Sequence, residues 1–305
     1  MTRLEAALAD YLQLRRALGH KLDGEGQQLS RFVTYLDFTG AEAITMPAVL
    51  EFITDADPAT TMPARRLTAV RGFARYLAAL DGVSVVPPAG LTASRARHRT
   101  PYIFSDADVA AVIAHARAAI PAPFRQETVA TITGLLAVTG MRVGEALRLG
   151  RDEIDWDGAV ILIRGTKFCK GRDVPVSESA ISALAAYARH RDQRHPATTR
   201  LFVSLAGTPV AYSHFGETFR GAITAAGIGA GTGIRPRIHD LRHSFAVRTL
   251  LGWHRAGLDA EALLPRLSTY LGHREPRFTY RYLTATPELL ALAAARLEAA
   301  QAVAP

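Results

Sequence analysis

One interruption governs what this 305-residue chain can fold into. The run Val86-Pro87-Pro88-Ala89-Gly90 cannot continue a helix, because each proline ring removes a backbone donor and fixes φ. The stretch that follows, Ser94-Arg95-Ala96-Arg97-His98-Arg99-Thr100-Pro101, is polar, basic and closed by another proline. Apolar residues keep helical spacing on both sides of this break. The sequence therefore divides into a helical domain over residues 1–90, a basic linker over 91–102 and a larger domain over 103–305. A linker this cationic, carrying Arg95, Arg97 and Arg99, is suited to crossing a nucleic-acid backbone.

In the first segment Leu4, Leu8, Tyr11 and Leu12 predict one helix ending at Gly19, and Leu29, Phe32, Val33 and Leu36 a second ending at Gly40. Thr45 and Pro47 open a short third helix. A fourth starts near Pro63 and runs through Leu67, Val70, Phe73 and Leu77. Arg66, Arg71 and Arg75 are placed off its apolar stripe, either as a solvated face or as a row tracking phosphates.

The larger domain opens at Ser105, which can cap a helix with Asp108 reaching back from the third position. A second helix spans roughly Glu127 to Val138 and ends at Thr139-Gly140, and a third runs from Met141 to Leu149. This puts Arg142 in a tight turn whose backbone N–H groups would welcome an anion, with an ion pair to Glu145 as the plainer reading. Val160-Ile161-Leu162-Ile163 predicts a strand, and Val174-Pro175-Val176 a returning edge strand. Between them, Gly165 to Arg172 forms a basic tip in which Lys167, Lys170 and Arg172 could reach into a groove. Helices follow through Ile181 and after Ser213. Another starts at Asp259, restarts at Pro265 and ends at Leu271-Gly272-His273 with a C-cap glycine. A last helix spans Pro287 to Ala300.

The net charge of +8 and a pI near 10.0, supplied almost wholly by arginine, point to a polyanionic partner bound through bidentate phosphate contacts. Hydrophobic residues at 49% and charged ones at 21% suit ordinary cores and exclude a disordered chain. The single cysteine, Cys169, allows no intrachain disulfide and fits a reducing compartment. No stretch has the length of a membrane span, and the N-terminus lacks the apolar run of a signal peptide, so a cytoplasmic location is expected.

The run His239-Asp240-Leu241-Arg242-His243 sets His239 and Arg242 three residues apart on one helix face, with Leu241 and Phe245 anchoring the other. It can be read as a zinc helix, as an anion site or as a solvated helix start. Zinc suits it poorly, because Asp240 is shorter than the glutamate such sites use as base and Arg242 would place a fixed charge beside the metal. Taken together, Arg142, Lys167, His239, Arg242, His273 and Tyr282 form a phosphoryl-transfer set: arginines to clamp phosphate oxygens, a lysine to protonate a leaving alkoxide, histidines to relay protons and a tyrosine to attack. This chemistry needs no cofactor and no metal. Tyr280, two residues before Tyr282, is the alternative nucleophile.

At these motifs the chain resembles the tyrosine recombinases of the phage integrase family, over essentially its whole length. Thr139-Gly140-Met141-Arg142-Val143-Gly144-Glu145 matches the family's first-arginine motif, His239-Asp240-Leu241-Arg242-His243 its His-x-x-Arg motif, and Leu271-Gly272-His273 its Leu-Gly-His motif, with Tyr282 nine positions on. The resemblance implies a mainly α fold. Its N-terminal part would be a helical, SAM-like core-binding domain and its C-terminal part a mainly helical catalytic domain with a small antiparallel β-sheet. It further implies site-specific recombination of double-stranded DNA through a 3′-phosphotyrosyl intermediate, in a tetramer docked through the C-terminal helix. The family pattern prefers Lys167 over Lys170 as general acid and Tyr282 as nucleophile. The region from Thr279 to Glu288 is similar to that of transposon-associated members. The other readings are a type IB topoisomerase-like strand transferase, a catalytically silent DNA-binding protein and, more remotely, a zinc hydrolase.

Overall fold

The computed structural model describes residues 2–20, 22–58, 60–92, 100–164, 171–273, 275, 277–280, 282–283 and 291. Arg95, Arg97, Arg99, Lys167, Cys169 and Lys170 lie outside the described residues, as does the expected last helix apart from Ala291. The described residues fall into two compact units, one ending at Thr92 and one beginning at Thr100. Among them no helix is long and apolar enough to cross a membrane.

The first unit holds α1 (Arg3–Ala17), α2 (Asp23–Phe38), α3 (Met46–Thr54) and α4 (Met62–Asp81). Thr2 and Glu5 form a reciprocal cap on α1, and the Thr45 hydroxyl accepts from the Ala48 N–H to start α3. The stripes predicted from spacing meet in one core, with Leu4, Leu29, Phe32, Leu36, Val70 and Phe73 almost wholly buried.

The row of arginines on α4 differs from expectation. Arg66 is buried, because position 66 shares a helix face with Val70, Phe73 and Leu77. Its guanidinium lies 4.5 Å from the centre of the Phe52 ring and donates to the Phe52 carbonyl at 2.6 Å and to Asp55 at 3.1 Å. It braces α3 against α4 and is not a surface cation. Arg71 is half-buried and donates through Nε to the Pro87 carbonyl, while Arg75 is exposed.

The second unit contains α5 (Asp106–Ala119), α6 (Pro123–Thr139), α7 (Val143–Ala146), β1 (Ile154–Asp155), β2 (Val160–Ile163), β3 (Arg172–Pro175), α8 (Glu178–Arg194), α9 (Tyr212–Ala225), α10 (Ile238–Arg255), α11 (Ala260–Leu271) and α12 (Arg277–Tyr280). The strands form an antiparallel sheet in the order β1-β2-β3, with Ile161 opposite both Ile154 and Val174, and Pro175 on an edge strand. α6 starts four residues earlier than expected, because Pro123 occupies its first position, where a missing N–H is no loss. α7 is a single turn that does not continue to Leu149. α11 runs straight through Pro265: that residue and Glu261, whose carbonyl loses its helical partner, are both on the exposed face, where water can take the bond.

α6 stops at Gly140, which is left-handed at φ 60°. A Cβ there would sit 2.5 Å from Cδ1 of Phe245 on α10. Gly140→Ala therefore combines backbone strain with overlap, and is expected to destabilise the fold by about 1–3 kcal/mol. A thermal melt checks this; an unchanged midpoint would mean the Phe245 ring swings aside at no cost.

Candidate active site

The first turns of α10 receive two chain ends: the turn Thr139-Gly140-Met141-Arg142 that joins α6 to α7, and the end of α11 at Leu271-Gly272-His273. Helix C-termini leave their last carbonyls without intrahelical partners. Arginines meet them here. Arg242 donates through Nη1 to the Gly140 carbonyl at 2.9 Å and through Nη2 to the Leu271 carbonyl at 2.6 Å. Arg142 donates through Nη2 to the Gly272 carbonyl at 2.8 Å. Gly272 is the C-cap foreseen from the sequence, left-handed at φ 66°.

The second anchor is Glu145. Its carboxylate accepts from Arg142 Nη1 at 2.9 Å and from the Arg142 backbone N–H at 2.8 Å. It also accepts from both terminal nitrogens of Arg172, at 3.0 and 2.7 Å. Burial pushes the Glu145 carboxyl up, but the hydrogen bonds and charge of Arg172, followed by those of Arg142, outweigh it and hold the group at about 2. It is an anion throughout the neutral range. Burial, followed by the nearby Arg142 charge, lowers Arg242 to about 10, which still leaves it cationic at neutral pH.

On α10, His239 is exposed, whereas Arg242 is only 2% exposed, because it lies beneath the end of α11. Two expectations change at this point. The Arg142 N–H does not await an anion, since Glu145 takes it; what faces outward is the half-exposed Arg142 side chain. Arg172 is not a groove-reaching tip residue. Its side chain, only 10% exposed, lies against Glu145, and Nε donates to the Tyr270 carbonyl at 2.8 Å.

His273 follows the α11 cap, and its Nδ1 is 2.7 Å from the hydroxyl of the buried Thr279. That bond fixes the orientation of the ring. Tyr282 lies in the turn after α12, buried, with its ring stacked 6.1 Å from His273 and tilted 5.4 Å from His243. Tyr280 ends α12 and is half exposed. The two tyrosines therefore part, one exposed at the end of a helix and one buried in the turn after it. His239 and His243 meet edge-on at 4.9 Å, but Asp240 is fully buried in the first turn of α10, where its carboxylate accepts from the backbone N–H and the guanidinium of Arg237. The residue a zinc hydrolase would need as base is thus engaged in the fold.

Five of the six expected residues, Arg142, His239, Arg242, His273 and Tyr282, belong to this one neighbourhood; the sixth, Lys167, lies outside the described residues. Glu145, Arg172 and Thr279 complete it. Glu145 had a signal, its place three residues after Arg142, where an ion pair forms on one helix face. Thr279 had none. The cluster can bind an anion between arginines beside a tyrosine oxygen.

The sequence profile of the phage integrase family matches residues 105–288. A Sinorhizobium fredii protein named as an integrase/recombinase (y4rB) is 38% identical over 98% of this chain and 98% of its own length. The structure of the XerH site-specific recombinase in a post-cleavage complex with its palindromic difH substrate is similar over 90% of this chain and 78% of that one, with a TM-score of 0.64 at 19% identity. A lambda integrase tetramer bound to a Holliday junction is similar over 92% of this chain and 76% of that one, with a TM-score of 0.62 at 16% identity. At these identities the two structures speak for the fold: helical units with a small antiparallel sheet.

Proposed function

The chain belongs to the phage integrase family, enzymes that cut and rejoin DNA strands by site-specific recombination, and from that premise we propose how its own residues do so. Arg142 and Arg242 hold the scissile phosphodiester, and their charge takes up what develops on the non-bridging oxygens. The Tyr282 oxygen attacks phosphorus and the bond to the 5′ oxygen breaks, leaving a 3′-phosphotyrosyl link. The phenolic proton passes to a base of the site, His239 or His273, while Lys167 protonates the departing 5′ oxygen. One phosphodiester replaces another, so the step is reversible without a nucleotide cofactor. The observation that carries this reading is that Arg142 and Arg242 are both anchored on carbonyls at the end of α11, close in the chain to a buried tyrosine set against His243 and His273.

DNA and further copies of the chain are the partners of this reaction. We place its working state as a tetramer on two duplexes, with the C-terminal segment joining neighbours; lambda integrase forms a tetramer on a Holliday junction. Arg75, Arg95, Arg97, Arg99 and Lys170 are the backbone contacts of the proposal, and each should steepen the salt dependence of binding by about one counterion.

A nicked suicide substrate in EDTA tests the function. A covalent protein–DNA adduct is expected; binding without adduct would leave a silent DNA-binding protein, and loss of activity on chelation would bring back the zinc reading. Religation to a partner duplex, rather than relaxation alone, separates recombinase from topoisomerase. Lys167→Ala should cleave slowly but recover on DNA with a 5′-bridging sulfur, whose leaving group needs no proton. Recovery of Lys170→Ala in its place would move the general acid to that residue.

A further inference from the structure

Arg172 lies in the candidate site without a role in the reaction as described. Its two terminal nitrogens take both oxygens of Glu145 in the parallel fork that guanidinium and carboxylate form best. Its third donor, Nε, goes to the Tyr270 carbonyl, two residues from the Gly272 carbonyl that Arg142 uses. The fit is close: a Cβ on Gly272 would lie 2.7 Å from Nη1 of Arg172. One side chain thus ties β3, Glu145 and the last turn of α11 together.

The arrangement bears on Arg142. A carboxylate left alone beside a guanidinium closes the same two-bond fork on it and cancels its charge. Here Arg172 occupies both Glu145 oxygens, so the Arg142 guanidinium gives that carboxylate only Nη1, beside the backbone N–H of the same residue, and places Nη2 on the Gly272 carbonyl. The rest of the Arg142 guanidinium is left to face outward, its side chain 41% exposed. We propose that Arg172 is a positioning residue for strand cleavage: by holding both Glu145 oxygens it keeps that carboxylate from capturing Arg142, and so keeps Arg142 aimed at the scissile phosphate. This rests on the reading that Arg142 binds that phosphate.

The test is a mutant cycle on the full-length protein, with DNA affinity and single-turnover cleavage of the nicked substrate measured separately. Arg172→Ala should bind DNA within about twofold of wild type yet cleave about tenfold or more slowly at saturating DNA. Arg172→Lys, which keeps a charge on Glu145, should recover part of the rate. The double variant Arg172→Ala with Glu145→Gln should cleave at least as fast as Arg172→Ala, because a neutral amide no longer captures Arg142. A wild-type cleavage rate in Arg172→Ala overturns the proposal. So does weaker binding at an unchanged rate, which would make Arg172 a phosphate contact, and so does a double variant slower than Arg172→Ala by the full factor of Glu145→Gln alone. If Arg172→Ala does not fold, Arg172→Lys replaces it in the cycle, expected slower than wild type and relieved by Glu145→Gln; a Lys variant at the wild-type rate overturns the proposal. Absence of an adduct with the wild-type protein would instead reject the recombinase assignment of this site, a result distinct from all of these.

Discussion

Tyr282→Phe should bind the nicked substrate with wild-type affinity and form no covalent adduct. The substitution removes one oxygen and leaves the ring, which packs with Leu250, Leu264, Leu267 and Leu271, so folding is preserved. Without the oxygen there is no atom to join to phosphorus, and cleavage should fall to background. Tyr280→Phe is the matched control. Its side chain is 48% exposed at the end of α12, whereas Tyr282 lies against His273 and His243 and close enough to Arg242 to act on its charge. Tyr280→Phe should therefore still form the adduct. Peptide mapping of the trapped complex decides between them, and a DNA-linked peptide modified on Tyr280 would overturn the assignment.

Arg242→Ala should show two losses at once. Cleavage should slow by about a hundredfold or more, as when other charge-stabilising donors are removed. Stability should also fall, because the Gly140 and Leu271 carbonyls would be left without their donor in a buried place, at about 1–3 kcal/mol each. Arg142→Ala should differ: its side chain is half exposed, so the thermal midpoint should move less while the cleavage rate still drops. Arg242→Lys keeps the charge, but a single ammonium does not span two carbonyls as a planar fork does, and its rate should stay low. Denaturation curves and single-turnover cleavage, measured on the same preparations, check both losses. An Arg242→Ala protein that cleaves at the wild-type rate would remove this residue from the site.

Local signals carried far in this chain. The caps at Thr45 and Ser105, the glycine ends at Gly140 and Gly272, the β2 strand and the spacing of the helical stripes all depend on neighbours within a few residues, and each is present as read. The order of the arginine, histidine and tyrosine motifs was likewise enough to name the family and the chemistry. Errors came where a side chain's partner is distant in sequence or a position was judged by residue type alone. Arg66 reads as a surface cation by residue type, although its position lies on the stripe of Val70 and Phe73. Arg172 reads as a groove contact because it neighbours a basic tip, although its carboxylate partner is 27 residues away.

By itself the sequence determined most of the helical segments, their caps and the family to which the chain belongs, since propensity, capping and motif order are properties of short stretches. Only the tertiary structure decided which arginines are buried and what each one holds. The carbonyls of Gly140, Leu271 and Gly272 come from two chain ends about 130 residues apart, and a backbone acceptor carries no mark in the side-chain sequence. The orientation of Arg142 and Arg242 follows from those acceptors and from the shared Glu145 carboxylate, so it exists only once α6, α10, α11 and β3 have packed.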